Sequence, residues 1–327
     1  MQRPMCYRIA MTIAANNIAK TGQSGIPTAN ESAILKVLAY FDIFQYPLTK
    51  AEITKYIASP PGNLEFDHTL DSLVTAQSIF YHKGFYSLHD NFLLSHRRRE
   101  GNWRAGQLLP KAFRVARFLY QFPFVRAVFI SGSLSKNFAD EKADIDFFII
   151  TTANRLWIAR TIMHLFKKLT FITGHQHYFC MNYYVDEAAL TIVDKNIYTA
   201  LEIATLIPAA GSDMADKFFA ANNWVARFFP YCTAETIKDG IPVNQGLKKR
   251  FENIFGERVA EKLDNWLMKI TTRRWARKRE SGKRNRNGRT VSLLTGRHFS
   301  KSNPGSFQEK VLSLYQQKLV ELRINDL

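Results

Sequence analysis

The chain has little cysteine: Cys6, Cys180 and Cys232 are the only three in 327 residues. Few, odd in number and scattered, they argue against a disulfide framework and fit a cytoplasmic protein. No apolar run approaches the roughly 18 residues of a membrane span, so no membrane role is expected. The apolar part of the first twenty residues is interrupted by Arg8 and ends at Asn16 and Asn17. This reads against a signal peptide, and Met11 offers a second start. Acid is scarce too, with 28 Asp and Glu against 45 Lys and Arg, a net charge of +17. Such a balance calls for anionic partners, nucleotides or nucleic acid. What is present is a globular composition, 46% hydrophobic, on a chain long enough for two or three cores.

The most informative stretch runs from Phe124 to Thr151. It reads as a buried strand over Val125 to Ile130, a Ser131-Gly132-Ser133 turn, a short polar helix or loop, and a second apolar strand carrying Asp144 and Asp146. Strand residues two apart face the same way, with Cα atoms roughly 6 to 7 Å apart. Two carboxylates on one face of a greasy strand are costly unless a cation joins them. The glycine allows close approach of a ligand, a helix start after it would favour a phosphate, and Lys136 adds a movable charge. Together these parts suit a magnesium-bound nucleoside triphosphate.

Gly132-Ser133, ten residues, then Asp144-Ile145-Asp146-Phe147 resembles the signature of the DNA polymerase β-like nucleotidyltransferase superfamily, in its minimal type. There a Gly-Ser turn precedes an Asp-x-Asp metal-binding strand, and an Arg commonly stands where Lys136 stands here. The resemblance covers roughly residues 110–215. It implies transfer of a nucleoside monophosphate from a triphosphate to a hydroxyl, with release of pyrophosphate. Asp144 and Asp146 would be catalytic and hold Mg2+ or Mn2+, while Gly132, Ser133 and Lys136 bind the nucleotide. The sequence departs from the pattern at Ala143, where a Ser usually precedes the first Asp. It departs again on the strand over Tyr178 to Val185, where the third acid's place is offered only by Asn182; Asp186, Asp194 and Glu202 are the acids that would have to fold in instead.

Residues 1–30 read as a flexible lead. Residues 31–95 read as three helices and a hairpin, resembling a winged helix, with a capping box at Thr49 to Glu52 and a hairpin over Ile79 to Leu88. Its third helix carries Glu65, Asp67 and Asp71 and no Lys or Arg, which disfavours DNA and favours a protein partner or packing. His96 to Arg99 reads as a solvated charged face or a phosphate rail, and Pro110 as a break before a helix over Ala112 to Tyr120. Leu156 to Leu169 forms an amphipathic helix whose Arg155 and Arg160 are expected at the surface. His175, His177 and Cys180 lack a fourth ligand for zinc.

Residues 216–327 read as a helical region. Within it Thr271 to Lys301 holds eleven Lys or Arg against one Glu, and is expected to be a mobile basic loop able to meet nucleic acid. The expected fold is thus an α/β (α+β) nucleotidyltransferase-like core, a winged-helix-like domain before it and a helical region after it. The alternative function is a catalytically weak or inactive relative that binds nucleic acid or nucleotide, motivated by Asn182 and the basic segment. Transcriptional regulation through the winged helix is the third reading.

Overall fold

The computed structural model describes residues 26–58, 63–170, 179–232, 245–253, 256–282, 292–302 and 306–324. Three helices open it: α1 (Ala29–Asp42), α2 (Lys50–Tyr56) and α3 (Asn63–Thr75). The first two begin with reciprocal capping boxes, Thr28 with Glu31 and Thr49 with Glu52, each satisfying helix N–H groups that would otherwise be orphaned. In α3, Phe66, Leu70 and Leu73 are buried, the i, i+4, i+7 face expected of a packed helix. The hairpin of β1 (Phe80–His82) and β2 (Phe85–Ser87) turns at Lys83 and Gly84, both at positive φ, as a tight two-residue turn requires. Leu48 bridges to Tyr86, fastening the segment before α2 to the hairpin.

A 29-residue helix, α4 (Phe92–Tyr120), leads away from this module. Pro110 lies inside it and does not break it, contrary to the sequence expectation. Next come β3 (Val125–Ser131), a single 3-10 turn over Leu134–Lys136, β4 (Asp146–Thr151), α5 (Leu156–Thr170), β5 (Cys180–Asp186), α6 (Ile197–Ala204), β6 (Ile207–Ala210) and α7 (Ser212–Ala221). The chain closes with α8 (Gln245–Asn253), α9 (Glu257–Glu280), β7 (Leu293–Thr295), β8 (Phe299–Ser302) and α10 (Phe307–Glu321).

The result is a mixed α/β architecture around one six-stranded sheet of order β6-β3-β4-β5-β8-β7. Only β4 and β5 are parallel; the other neighbours are antiparallel. One face carries Phe129, Phe148, Ile150 and Val185 into a core shared with the N-terminal helices, α6, α7 and α10. The other carries Val128, Ile130, Phe147 and Ile149 against Ala112 and Ala116 of α4 and Trp157 and Met163 of α5. The N-terminal module therefore has no separate core; it shares the first.

Two ion pairs lock that union. Arg98 is 2% exposed, donates to both Glu52 carboxylate oxygens and the Pro47 carbonyl, and stacks 3.8 Å from the Tyr46 ring centre. Arg97 reaches Asp140 and the carbonyls of Phe44 and Gln45. The run at His96 to Arg99 is thus, at these two positions, a docking surface rather than a solvated face. Removing one member of a buried pair like Arg98–Glu52 costs about 3–5 kcal/mol. Asp42, at the end of α1, accepts from His89 beyond the hairpin and from Lys318 of α10, so both ends of the chain meet at one carboxylate.

The C-terminal region differs most from the sequence reading. The stretch Thr271–Lys301 is no single loop: residues 271–280 continue α9, and β7 and β8 add to the sheet beside β5. Lys283 to Arg289, the densest basic run, lies outside the described residues, as do residues 1–25 with Met11. Pro208 stands in edge strand β6 opposite Phe129, where proline's missing N–H is tolerated. Arg160, expected at the surface, is buried beside Trp157.

Candidate functional site

The antiparallel register of β3 and β4 brings the two halves of the motif together, with Ser131 opposite Asp146. Gly132 then leaves the strand at φ +72°, and a Cβ there would lie 2.5 Å from Asp146 Oδ2. Both conformation and space require glycine at this point. The carboxylate of Asp146 is therefore packed directly on the glycine of the turn.

Gly132, Ser133, Lys136, Asp144 and Asp146 all line one cavity of about 100 Å³. The expected helix after the turn is only the 3-10 turn Leu134–Lys136, closed by Asn137 at φ 55°, too short for an appreciable helix dipole. Positive charge comes instead from Lys136. Its ammonium donates to the Gly132 carbonyl at 3.1 Å and to Glu202 at 2.9 Å.

Electrostatics mark the acids as unusual. Burial, and then the neighbouring Asp144 carboxylate, push Asp146 up to about 8, against a lowering hydrogen bond from Asn182. Lys167 at the end of α5 is buried and brought down to about 8, with Asp144 and Asp146 pulling the other way. A carboxylate displaced up beside an ammonium displaced down is a recognised mark of a working site.

Asn182, on β5 beside β4, donates its amide to Asp146. It sits at a register shift of the β4–β5 pairing, between Met181 and Tyr183, and that bulge aims it at the acid pair. Of the three acids that might replace a missing carboxylate, Glu202 alone lines the cavity. Asp186 is fully buried and occupied by His298 and the N–H groups of Asn154 and Ala188. Asp194 lies 3.7 Å from Lys301. His175 and His177 fall outside the described residues. Among those described, no group of three or more His, Cys, Asp or Glu is arranged to hold a metal ion; the acids of the cavity are the Asp144–Asp146 pair, Glu202 and Asp140.

The other half of the wall escapes motif reading. Tyr40 and Phe41 of α1, Phe44 and Tyr46 after it, and Phe307 of α10 line the rest of the cavity. The Tyr46 hydroxyl donates to the Lys136 carbonyl, and the Tyr46 ring meets Phe138 edge to face at 5.6 Å. Gly101 of α4 makes room for Phe138, since a Cβ there would lie 2.2 Å from the ring. The aromatic density of Tyr40 to Tyr46 was the available signal, but only tertiary structure turns it toward Gly132.

A divalent cation fits this donor set in one respect: it would offset the burial and the Asp144 repulsion that together raise Asp146. Chemically the arrangement can seat a cationic centre between acids, with a lysine on the opposite side of a glycine turn. In comparisons with family models, curated proteins and solved structures, no match was found for this chain.

Proposed function

We propose that the protein is a metal-dependent nucleotidyltransferase that moves a nucleoside monophosphate from a triphosphate to a hydroxyl acceptor. The observation that carries the reading is the contact of Asp146 with Gly132, in a cavity shared with Ser133, Lys136 and Asp144. It is supported by the mixed sheet, in which the Asp strand lies between the strand that opens the turn and the strand bearing Asn182. The three helices and hairpin that precede it support a winged-helix-like module that packs on the core.

In this mechanism Asp144 and Asp146 would hold Mg2+ or Mn2+, which would supply charge neutralisation at the phosphates. Gly132 keeps the turn open to the triphosphate, and Lys136 exchanges its pairing with Glu202 for phosphate oxygens. Released from Lys136, Glu202 accepts the proton of the acceptor hydroxyl. The acceptor oxygen attacks the α-phosphorus, the bond to the bridging oxygen breaks, and pyrophosphate leaves. Asn182 orients Asp146 through its amide.

The test is incubation of the full chain with each α-labelled triphosphate, Mg2+ and candidate protein, RNA and small-molecule acceptors, scoring pyrophosphate release and labelled product. Wild-type turnover lost in Asp144→Asn/Asp146→Asn supports the assignment, and undiminished turnover in that variant rejects it. The second reading, a binding protein without turnover, is favoured by Asn182 standing where a third acid is expected and by the cationic face of α9, where Arg273, Arg274 and Arg277 are exposed. It predicts salt-sensitive RNA or DNA binding that survives the same double substitution.

A further inference from the structure

Tyr40 is left over by the chemistry above. Its side chain is 2% exposed, its hydroxyl has no hydrogen-bond partner among the described residues, and it lines the cavity. Burial, with Glu202 and Tyr315 nearby, raises the phenol well above its ordinary value, so it stays a neutral group able both to donate and to accept. A buried hydroxyl left unmatched is unfavourable, and Tyr40 lines the cavity together with Phe41 and Phe44 of its own module and Phe307 of α10.

Aromatic faces beside an unmatched hydroxyl suit a planar ring with a polar edge, because rings stack on rings while an edge atom takes the hydrogen bond. The wall is also tied to the phosphate end of the cavity. Tyr46 donates to the Lys136 carbonyl, and Lys136 donates to the Gly132 carbonyl. A ring seated there is thereby continuous with a group lying on the Gly-Ser turn, as base and phosphates are in one nucleotide. An acceptor has no such reason to share that turn.

Resting on the reading that Gly132, Ser133 and Lys136 receive the triphosphate, we infer that the aromatic end of the cavity receives the nucleobase, with the Tyr40 hydroxyl reading its edge. The helices that precede the core are then part of the nucleotide site and help choose the base. This is a different task from reading DNA or docking a partner protein.

The experiment titrates the full chain, in Mg2+, with ATP, GTP, CTP, UTP and inorganic tripolyphosphate, which carries the charge without a ring. Wild type is expected to bind at least one nucleotide about tenfold or more tighter than tripolyphosphate, the usual yield of base stacking. Phe44→Ala should remove that gap and leave tripolyphosphate binding unchanged. Tyr40→Phe, which keeps the ring, should narrow the spread among the four nucleotides. Thermal melts establish that both variants are folded.

Equal binding of tripolyphosphate and all four nucleotides by wild type overturns the inference while leaving the phosphate site intact. So does a gap that survives Phe44→Ala together with an unchanged spread in Tyr40→Phe. Unaltered nucleotide binding with weakened transfer to an aromatic alcohol would give the cavity to the acceptor, overturning it as well. Absence of any binding, of nucleotide or tripolyphosphate, overturns the function on which the inference rests.

Discussion

Two carboxylates of this protein live under opposite rules. Asp42, between the N-terminal helices and α10, is held by His89 and Lys318. Burial works to raise it, yet those two partners bring it below its ordinary value. Asp146, in the cavity, receives an amide from Asn182 but faces a second carboxylate, and stands at about 8. One acid is compensated by the fold and holds it together. The other is left under-compensated, and the protein carries that cost at the place where a cation would repay it.

Substitution should separate the two. Asp144→Asn/Asp146→Asn is expected to lower triphosphate turnover at least a thousandfold, the scale on which removed electrostatic stabilisation acts, measured by pyrophosphate release. Asp146→Asn alone should raise stability at pH 7 rather than lower it. The folded acid holds its proton up to about 8 while the unfolded one gives it up near 3.8, a penalty the amide does not carry. Asp42→Asn should instead destabilise the fold by about 3–5 kcal/mol, read from denaturant melts. Equal stability loss at both positions would abolish the contrast.

Gly132→Ala probes the contact between turn and acid. A methyl 2.5 Å from Asp146 Oδ2, on a residue at φ +72°, must displace the carboxylate or the turn. Turnover should fall about a hundredfold, as misplacement by roughly 1 Å does. Gly106→Ala, where a Cβ meets nothing within 4 Å, is a control for the loss of a glycine as such.

The pH dependence has opposite signs at the two acids. With its value lowered, Asp42 contributes stability that is present above the ordinary carboxylate value near 3.8 and lost as pH falls through its folded value. Asp146, raised from 3.8 to about 8, contributes stability that is complete below 3.8 and lost as pH rises through about 8. Its slope between those values is at most about 1.4 kcal/mol per pH unit. Melts of wild type and Asp146→Asn over pH 5 to 9 should differ by that downward trend, and parallel curves would show the acid to be ordinary.

The cavity was half legible in the sequence. Gly132, Ser133, Lys136, Asp144 and Asp146 are close in the chain and line one cavity. Asp144 lies just before β4 rather than on it, so the antiparallel pairing of Ser131 with Asp146, not strand alternation, joins the two halves. Tyr40, Phe44 and Phe307 were not legible, because their approach to Gly132 depends on docking from both ends of the chain. Arg98 could not be read as buried, since Glu52 meets it from 46 residues away. The strands β6, β7 and β8 are short, and they carry proline or follow a basic run, so their pairing partners, not their own residues, make them strands.

The most direct measurement of the central claim is calorimetric titration of the full chain with Mg2+ and a triphosphate at pH 7, in buffers of different ionisation enthalpy. Because the cation must displace the proton held by Asp146, wild type is expected to release about one proton per site, and Asp146→Asn none. Metal-dependent binding with no proton release, or binding of equal strength in the Asn variant, would contradict the account.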